Sequence, residues 1–345
     1  MKRVLVTGGG GFVGLALVKR LLAEQVEAVV VGRHRYPEVE RLGVESKVGD
    51  IRDGLFLTRA ARGCDTAFHV AAKAGIWGRR EEYFSINLTG TEEVLKACRA
   101  NGISRLVHTS TPSVVFADHD LAGVDESTPY ARRFLCHYAE SKALAEERVL
   151  AANGCGLKTV ALRPHLVWGP GDTNLIPRLI DRGRKGLLKQ VGNGQNLVDI
   201  VYIDNVVDAH WLAAKNLEGS ATAAGRAYFI SQNEPVNLWA WINGLFAELE
   251  IPKVTKQVPF AKAYAAGAVL ECVCRLFSIH NEPLMTRFLA QQLAKSHWFS
   301  IAAARRDLGY EPKVSTAEGM RRLVEWLLSA EFVSQRGSTP STGTG

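Results

Sequence analysis

Tyr138 and Lys142 stand four residues apart at the start of a predicted helix, a spacing that could serve proton transfer. Residues four apart in a helix share one face, so both side chains point the same way. When hydride reaches a ketone, charge develops on the oxygen and a nearby donor must supply a proton. A tyrosine hydroxyl can do so if an ammonium group lowers its pKa toward neutrality. The pair therefore predicts Tyr138 as a general acid and Lys142 as its electrostatic partner.

A predicted strand upstream of that helix ends in hydroxyl-bearing residues, one of which could orient the substrate. Thr109, Ser110 and Thr111 close the strand, and Ser113 follows two positions later. A hydroxyl can both donate and accept a hydrogen bond, so it suits a carbonyl oxygen that becomes an alcohol. The residues themselves leave open whether Ser110, Thr111 or Ser113 takes this part.

Three glycines near the amino terminus predict a binding site for a dinucleotide. They follow a strand at residues 3–7 and open a helix over Phe12–Ala23. The first permits a tight turn, the second lets the backbone approach a pyrophosphate, and the third allows close packing of helix and strand. Unpaired amides at the helix start then face the phosphates. The contacts expected here come from Gly8, Gly11, Phe12, Val13 and Gly14.

The end of the second strand indicates which dinucleotide is bound. A carboxylate at that place would bind the ribose 2′-hydroxyl of NAD. The strand at residues 27–32 is followed instead by Arg33 and Arg35, and no carboxylate occurs before Glu38. Guanidinium groups suit a 2′-phosphate, so the two arginines favour NADP(H).

Two further segments are expected to contact the cofactor. Asp50 follows the third predicted strand and could accept a hydrogen bond from the adenine amino group, with Ile51 beside it. Ala71 and Ala72 come at the end of a buried strand, at the edge of a parallel sheet where such cofactors bind.

The elements that must position these residues alternate between strand and helix. Repeated units of this kind predict an α/β protein with a Rossmann-type, doubly wound parallel sheet. After Pro164 the pattern becomes irregular, with helical stretches at 259–279 and 283–296 that predict a smaller mixed α/β C-terminal cap for the substrate. The expected division is a cofactor-binding core at 1–165 to which residues of about 195–215 return, a region at 166–333 that is mainly cap, and a disordered tail at 334–345.

Composition and charge argue against several other functions. The net charge is +7, from 42 basic and 35 acidic residues, but the basic residues form no run of five or more. We therefore expect no nucleic-acid partner. His69, His108, His165 and His210 lack the spacing of metal ligands, as do the six cysteines, so no metal site is expected.

The most apolar helical stretch bears on location. Its uninterrupted apolar part, Ala263–Leu270, is shorter than the roughly 20 residues that a membrane span needs. Peripheral contact with lipid stays open. The amino terminus resembles no signal peptide, and a cytoplasmic location is expected.

The motifs together resemble the extended short-chain dehydrogenase/reductase family. The resemblance rests on the three glycines, Gly49-Asp50, the hydroxyl-rich strand end and Tyr138-x-x-x-Lys142. The segments ALRPHLVWGPGD (161–172) and DIVYIDNVVDAH (199–210) are similar to the 3β-hydroxysteroid dehydrogenase branch, and the match covers nearly the whole chain except the tail. The resemblance implies an NADP-dependent oxidoreductase that acts on a ketone or the matching alcohol, and a homodimer.

A narrower likeness within that branch concerns the substrate. Segments such as AAKAGIWG (71–78), HTSTPSVVF (108–116) and AYFISQNEP (227–235) look like enzymes of bacterial long-chain olefin biosynthesis that reduce β-keto acids. This likeness implies reversible, NADPH-dependent reduction of a 2-alkyl-3-oxoalkanoate to the 2-alkyl-3-hydroxyalkanoate. Contact with other enzymes of such a pathway is left open.

The family's residue roles transfer to matching positions. Tyr138 would be the general acid, and Lys142 its partner and a ligand of the nicotinamide ribose. The orienting hydroxyl, usually a serine, falls on Thr111. The backbone after Arg163 would contact the nicotinamide amide through Pro164, Leu166 and Val167, and Arg163 itself is expected to be structural.

The substrate end is predicted from side-chain chemistry. Lys73, just after the fourth strand, could bind a substrate carboxylate, although a lysine that extends into solvent explains the residue equally well. Aromatic residues could line a pocket for alkyl chains, or belong to the core. The predicted substrate contacts are Lys73, Trp77, Ser113, Trp168 and Tyr202.

Three other functions fit parts of the pattern. A 3β-hydroxysteroid or sterol-4-carboxylate dehydrogenase needs a similar apolar cleft. A regulatory protein that senses NADP without chemistry would tend to lose Tyr138 or Lys142, and both are present. A sugar-nucleotide epimerase would need uridine and diphosphate contacts that are not evident in the cap.

Overall fold

Seven parallel strands form the central sheet of the protein, which a computed structural model describes over residues 1–116 and 118–329. The tail predicted at 334–345 lies outside the described residues. The strands are β1 (Arg3–Thr7), β2 (Glu27–Gly32), β3 (Glu45–Val48), β4 (Thr66–His69), β5 (Arg105–Thr109), β6 (Leu121–Val124), β7 (Lys158–Pro164), β8 (Val167–Trp168), β9 (Gln190–Val191), β10 (Leu197–Val198), β11 (Val201–Tyr202), β12 (Arg226–Ile230), β13 (Val236–Asn237), β14 (Gln257–Val258) and β15 (His297–Phe299).

Thirteen α-helices lie between and after these strands in the described part of the chain. They are α1 (Phe12–Ala23), α2 (Pro37–Arg41), α3 (Gly54–Ala60), α4 (Arg80–Tyr83), α5 (Gly90–Ala100), α6 (His137–Ala151), α7 (Leu175–Arg184), α8 (Ile203–Glu218), α9 (Leu238–Glu248), α10 (Phe260–Leu276), α11 (Arg287–Ala294), α12 (Ala302–Leu308) and α13 (Thr316–Leu328). A π-helix (Phe84–Thr89) joins α4 to α5, and a 3₁₀-helix (Pro112–Val115) follows β5.

The strand order of the sheet is β3-β2-β1-β4-β5-β7-β12. The chain reverses its direction of travel across the sheet beside β1, which pairs with β2 on one side and β4 on the other. In doubly wound sheets, ligands bind in the crevice that this reversal opens at the carboxyl ends of the strands. The Rossmann-type parallel sheet predicted from the sequence is confirmed.

The two faces of the sheet are buried against helices on both sides. Val4 and Val6 of β1 point into one core, which includes residues of α1 and α8, and Leu5 points into a second core that includes residues of α3 and α5. All three are fully buried. Burial on both faces explains why these strands read as continuous apolar runs rather than alternating patterns.

A smaller set of elements follows the sheet. The strands β13, β10, β15 and β6 form a separate four-stranded sheet, and α10 packs on α11. The strand β12 falls in the range expected for the cap, yet it pairs with β7 and extends the large sheet. The helix α8, within the range expected to return to the core, packs against α1, β5 and β7.

Two of the sequence predictions concern a membrane span and a metal site. No helix among them is both long and apolar enough to cross a bilayer. No group of three or more potential metal-ligating side chains comes together in the same part of the chain.

Candidate active site

A cavity of about 610 Å³ opens at the carboxyl ends of the sheet strands. Its wall combines the glycine-rich turn with the ends of β2, β4, β5 and β7 and the start of α6. The predicted residues that line it are Gly8, Gly11, Phe12, Val13, Gly14, Arg33, Asp50, Ile51, Ala71, Ala72, Lys73, Ser110, Thr111, Ser113, Tyr138, Lys142, Pro164, Leu166 and Val167. Residues far apart in the sequence therefore meet at one site.

The glycine-rich turn passes too close to its surroundings for larger residues. Gly8 has a φ of +73°, and a Cβ there would come within 2.8 Å of the backbone of Ala71. A Cβ on Gly14 would meet Gly9 Cα at 2.8 Å. The helix α1 begins after Gly11 without a side-chain cap, so its first amides remain available to an anion.

The two arginines after β2 differ in position. Arg33 lines the cavity. The side chain of Arg35 is 83% exposed, lies 3.8 Å from Glu40, and is not part of the cavity wall. Of the two arginines, the structure therefore brings Arg33 to the cavity wall and leaves Arg35 outside it.

Tyr36 is a residue that the sequence analysis missed. Its ring covers the glycine-rich turn so closely that a Cβ on Gly32 would lie 2.8 Å from its hydroxyl oxygen, and one on Gly10 would overlap the ring. Tyr36 lines the cavity beside Arg33. No sequence motif indicates this residue, since its place depends on how the chain folds back after β2.

The carboxylate of Asp50 is held by a neighbour. Arg52 Nε donates to Oδ1 at 2.9 Å and Nη2 donates to Oδ2 at 2.6 Å. These hydrogen bonds lower the pKa of Asp50, so the group stays ionised as an acceptor at the cavity wall.

Lys142 lies one turn into α6 and is 2% exposed. Its Nζ donates to the carbonyl oxygen of Thr109 at 2.7 Å and lies 3.1 Å from Nε2 of His108. Burial lowers the pKa of Lys142 to about 7, with the charge of Glu146 opposing the shift. The ammonium group is thus close to losing its proton at neutral pH.

The phenol of Tyr138 behaves differently from the sequence prediction. Burial raises its pKa to about 12, and a hydrogen bond with Thr111 opposes the shift. The expected lowering of this pKa by the ammonium is wrong, because burial dominates and Lys142 is directed to the carbonyl of Thr109 and to His108. Tyr138 accordingly keeps its proton and can act as a donor.

Among the candidate hydroxyls, Thr111 is the one that lowers the pKa of Tyr138. It also donates to Ser113 Oγ at 3.2 Å and accepts from the amide of Ser113 at 3.2 Å. Ser110 Oγ is buried and has no hydrogen-bond partner among the described residues. The link between Thr111 and Tyr138 favours Thr111 as the orienting hydroxyl.

Asn87, in the π-helix, is a second residue that the sequence analysis missed. Its Oδ1 accepts from the amide of Lys73 at 2.7 Å, and its Nδ2 donates to the carbonyl of Lys73 at 3.1 Å and to Ser141 Oγ at 2.9 Å. The side chain is 1% exposed. It ties the loop after β4 to α6, and so fixes the backbone of Lys73 relative to Tyr138.

The Lys73 side chain is already paired. Nζ lies 2.6 Å from Oε2 of Glu82 and 5.3 Å from the centre of the Tyr83 ring. The lysine side chain is partly exposed. An incoming carboxylate would have to replace Glu82.

Of the three aromatic predictions, two are corrected. Trp168 is fully buried and packs edge-to-face on Tyr202 and Trp241, with both ring centres at 5.3 Å. A Cβ on Gly319 would contact both Trp168 and Tyr202, which shows how tightly this part of the core closes. Trp168 and Tyr202 therefore stabilise the core and do not line the cavity. Trp77 lines a neighbouring groove, where its Nε1 donates to the carbonyl of Ile279 at 3.2 Å.

Arg163 has the structural role that was expected of it. Its Nη2 lies 2.5 Å from Oε1 of Glu146, and both side chains are almost fully buried. The pair joins β7 to α6, the helix that carries Tyr138.

Comparison with known proteins places the chain in a family. The profile of the 3-beta hydroxysteroid dehydrogenase/isomerase family matches residues 5–260. The chain belongs to this family of extended short-chain dehydrogenases/reductases. It is an oxidoreductase by that membership.

The relatives of the chain include two reductases and a sterol dehydrogenase. The chain is 50% identical to the 2-alkyl-3-oxoalkanoate reductase of Shewanella oneidensis over 94% of this chain and 86% of that protein. The reductase of the same name from Stenotrophomonas maltophilia is 48% identical, over 93% and 98% of the two chains. The mouse sterol-4-alpha-carboxylate 3-dehydrogenase, decarboxylating, is 33% identical, over 94% and 90%.

Solved structures share the fold. MoeE5 in complex with UDP-glucose and NAD is 25% identical with a TM-score of 0.73, and the match covers 98% of this chain and 100% of that one. The structure of gox2253 is 24% identical with a TM-score of 0.77, over 98% and 99%.

Proposed function

We propose that the protein reduces a 2-alkyl-3-oxoalkanoate to the 2-alkyl-3-hydroxyalkanoate with NADPH. The observation that carries the proposal is that Tyr138, Thr111 and Lys142 line the same cavity as the glycine-rich turn. The 50% and 48% identity to reductases of this name supports the substrate class.

The residues present fit a dinucleotide. Gly8 and Gly14 let the turn pack directly on the backbone of Ala71 and Gly9, and the uncapped start of α1 suits a pyrophosphate. Arg33 at the cavity wall, with no carboxylate at the end of β2, supports NADP over NAD. When bound, the cofactor supplies the hydride. MoeE5, which shares the fold, binds NAD in its solved complex.

The proton comes from the chain itself. Because the pKa of Tyr138 is raised to about 12, the phenol is protonated throughout the working range and can donate to the substrate oxygen. Thr111 holds the phenol and is placed to hold that oxygen too. Lys142 contributes charge and a donor beside the pair. In the overall step, one ketone, one hydride and one proton give one alcohol.

The carboxylate of the substrate needs a cation near the reacting carbon. Lys73 lines the cavity and is tied to Asn87 through its backbone, which keeps it near Tyr138. We infer that it exchanges Glu82 for the carboxylate. Of the five substrate contacts expected from the sequence, Lys73 and Ser113 remain in this proposal.

The test is NADPH consumption by the purified protein with three substrate classes. These are freshly saponified 2-alkyl-3-oxo acids, the matching ketones without the carboxylate, and 3-oxosteroids, with NADH run in parallel. We expect the keto acids and NADPH to give the highest kcat/KM. Preference for the steroid would overturn the proposal in favour of a sterol dehydrogenase. Cofactor binding without turnover of any class would favour a regulatory protein.

A further inference from the structure

The outward face of α10 is mainly apolar. This helix is the longest in the described chain, with 17 residues. Val269 is 62% exposed and Leu276 is 76% exposed, and Phe277 just after the helix is 68% exposed. The other exposed apolar residues of this face are Ala261, Ala265, Ala266, Cys272 and Val273.

The exposed apolar residues are concentrated rather than scattered. Eleven large apolar side chains are exposed in the described residues, and six of them lie between Val269 and Leu284. Single exposed leucines are ordinary, but a contiguous patch marks an interaction surface. The fold does not need this face, since α10 already buries its opposite side: Gly267 packs so closely that a Cβ there would lie 2.6 Å from the backbone of Thr286.

The charges on this face are all positive. The exposed charged residues of α10 are Lys262 and Arg275. Its one carboxylate, Glu271, is 2% exposed and pairs with Arg287 at 2.7 Å and with Arg275 at 3.9 Å. In the loop that follows, Glu282 is paired with Arg178. An apolar helix face with cations and no free carboxylate suits an anionic lipid surface.

A groove of about 390 Å³ begins at the carboxyl end of α10. Its apolar wall is formed by Ile76, Trp77, Phe134, Leu135 and Ile279, and Arg79 and Arg275 also line it. Ile76 lines the active-site cavity as well, and the groove extends to Cys136 and His137, next to Tyr138 in the chain. The groove therefore shares a wall with the cavity at Ile76 and lies beside the carboxyl end of the exposed face.

We propose that the outward face of α10 docks on an anionic lipid surface and that the groove admits an alkyl chain of the substrate from it. The docking is inferred from the composition of the face alone. The passage of a substrate chain rests, in addition, on the function proposed above. A lipid surface accounts for both features, because it offers negative charge to Lys262 and Arg275 and holds molecules with long alkyl chains beside the groove.

The test is flotation of the full chain with vesicles of phosphatidylcholine and phosphatidylglycerol, beside vesicles of phosphatidylcholine alone. The double variant Val269→Gln/Leu276→Gln alters the face, and Leu55→Gln/Leu187→Gln alters leucines that are 78% and 59% exposed elsewhere. We expect the original protein and the control to float with the anionic vesicles. The α10 variant should bind these vesicles at least about tenfold more weakly.

Activity separates the docking from the proposed function. Both double variants should reduce a short, water-soluble 2-alkyl-3-oxo acid at the original rate. The α10 variant alone should lose rate on a long-chain acid presented in anionic vesicles. Failure of the original protein to float would overturn the docking. A molecular mass, measured by light scattering, that changes in the α10 variant alone would also overturn it, because the face would then be a contact between protein molecules. Absence of turnover with the short acid would overturn the proposed function and leave the flotation result standing.

Discussion

Lys142 is buried among groups that control its charge. Its pKa is lowered to about 7, so the ammonium form is present below that pH and is lost as the pH rises through it. Tyr138, with a pKa raised to about 12, does not titrate in this range. The charge state of the site near neutral pH therefore depends on Lys142 and on its contacts with Thr109 and His108.

We predict that kcat/KM for NADPH falls above about pH 7 as Lys142 loses its proton. His108→Leu removes an acceptor from the ammonium form and should move this fall to lower pH. His210→Leu is the matched control, because His210 is equally buried and contacts the Thr109 hydroxyl instead. The measurement is the rate of NADPH oxidation, by stopped flow or in the steady state, for both variants between roughly pH 5 and 9. Equal profiles for both variants would show that His108 does not act on Lys142.

Cofactor preference should depend on one arginine. Arg33→Ala is expected to raise KM for NADPH by about 10- to 100-fold, since a hydrogen bond to a charged group contributes about 1.5–3 kcal/mol, and to leave KM for NADH unchanged. Arg35→Ala is the control, because Arg35 faces Glu40 away from the cavity. Parallel loss with both cofactors, or an equal effect of Arg35→Ala, would contradict the assignment.

The role of Lys73 can be separated from general damage by the choice of substrate. Lys73→Met should lower kcat/KM for the keto acid by about tenfold or more, and should leave the matching ketone nearly unaffected. Glu82→Gln frees the ammonium from its partner at 2.6 Å and should lower KM for the acid. Equal loss on acid and ketone after Lys73→Met would remove the lysine from the substrate site.

At the scale of the elements, the contact between β1, the glycine-rich turn and α1 leaves no room for a methyl group. Gly14→Ala should lower the free energy of unfolding by about 1–3 kcal/mol and weaken cofactor binding, because the new Cβ would meet the backbone of Gly9. Gly244→Ala, in α9, meets nothing within 4 Å and should raise stability by about 0.5–1 kcal/mol. Chemical denaturation of both variants measures the change in the free energy of unfolding. A Gly14→Ala protein of unchanged stability would contradict the packing.

Local patterns predicted the elements that carry the cofactor turn. The helix expected at Phe12–Ala23 and the strands at 3–7 and 27–32 agree with the structure, because apolar spacing and glycines decide them locally. The strand β12 was placed in the range of the cap, since its membership of the large sheet depends on pairing with β7 across 60 or so residues of chain.

The site was predicted less evenly than the fold. Tyr138, Lys142 and Thr111 lie together because motif spacing and strand ends fix them. Trp168 could not be assigned from the sequence, since a pocket wall and a core use the same aromatic residues. The direction in which the pKa of Tyr138 shifts could not be predicted either, because it depends on burial and on where the Lys142 side chain points.

At the scale of the whole molecule, the sheet holds the cavity floor and the later elements cover it. Phe288 and Gln292 of α11 line the cavity, and α10 packs on α11. We infer that residues 1–165 act mainly as the cofactor part and 166–333 mainly as the substrate cap, with β12 and α8 returned to the core. The homodimer, the cytoplasmic location and contacts with pathway enzymes stay predictions.

The most direct measurement of the whole account is the rate of NADPH oxidation by Tyr138→Phe with a 2-alkyl-3-oxo acid. The phenol is the proposed proton donor, so kcat should fall by about 10²- to 10⁴-fold while NADPH affinity, followed by fluorescence, stays within a few-fold of the original. A Tyr138→Phe protein that reduces the acid at the original rate would contradict the account.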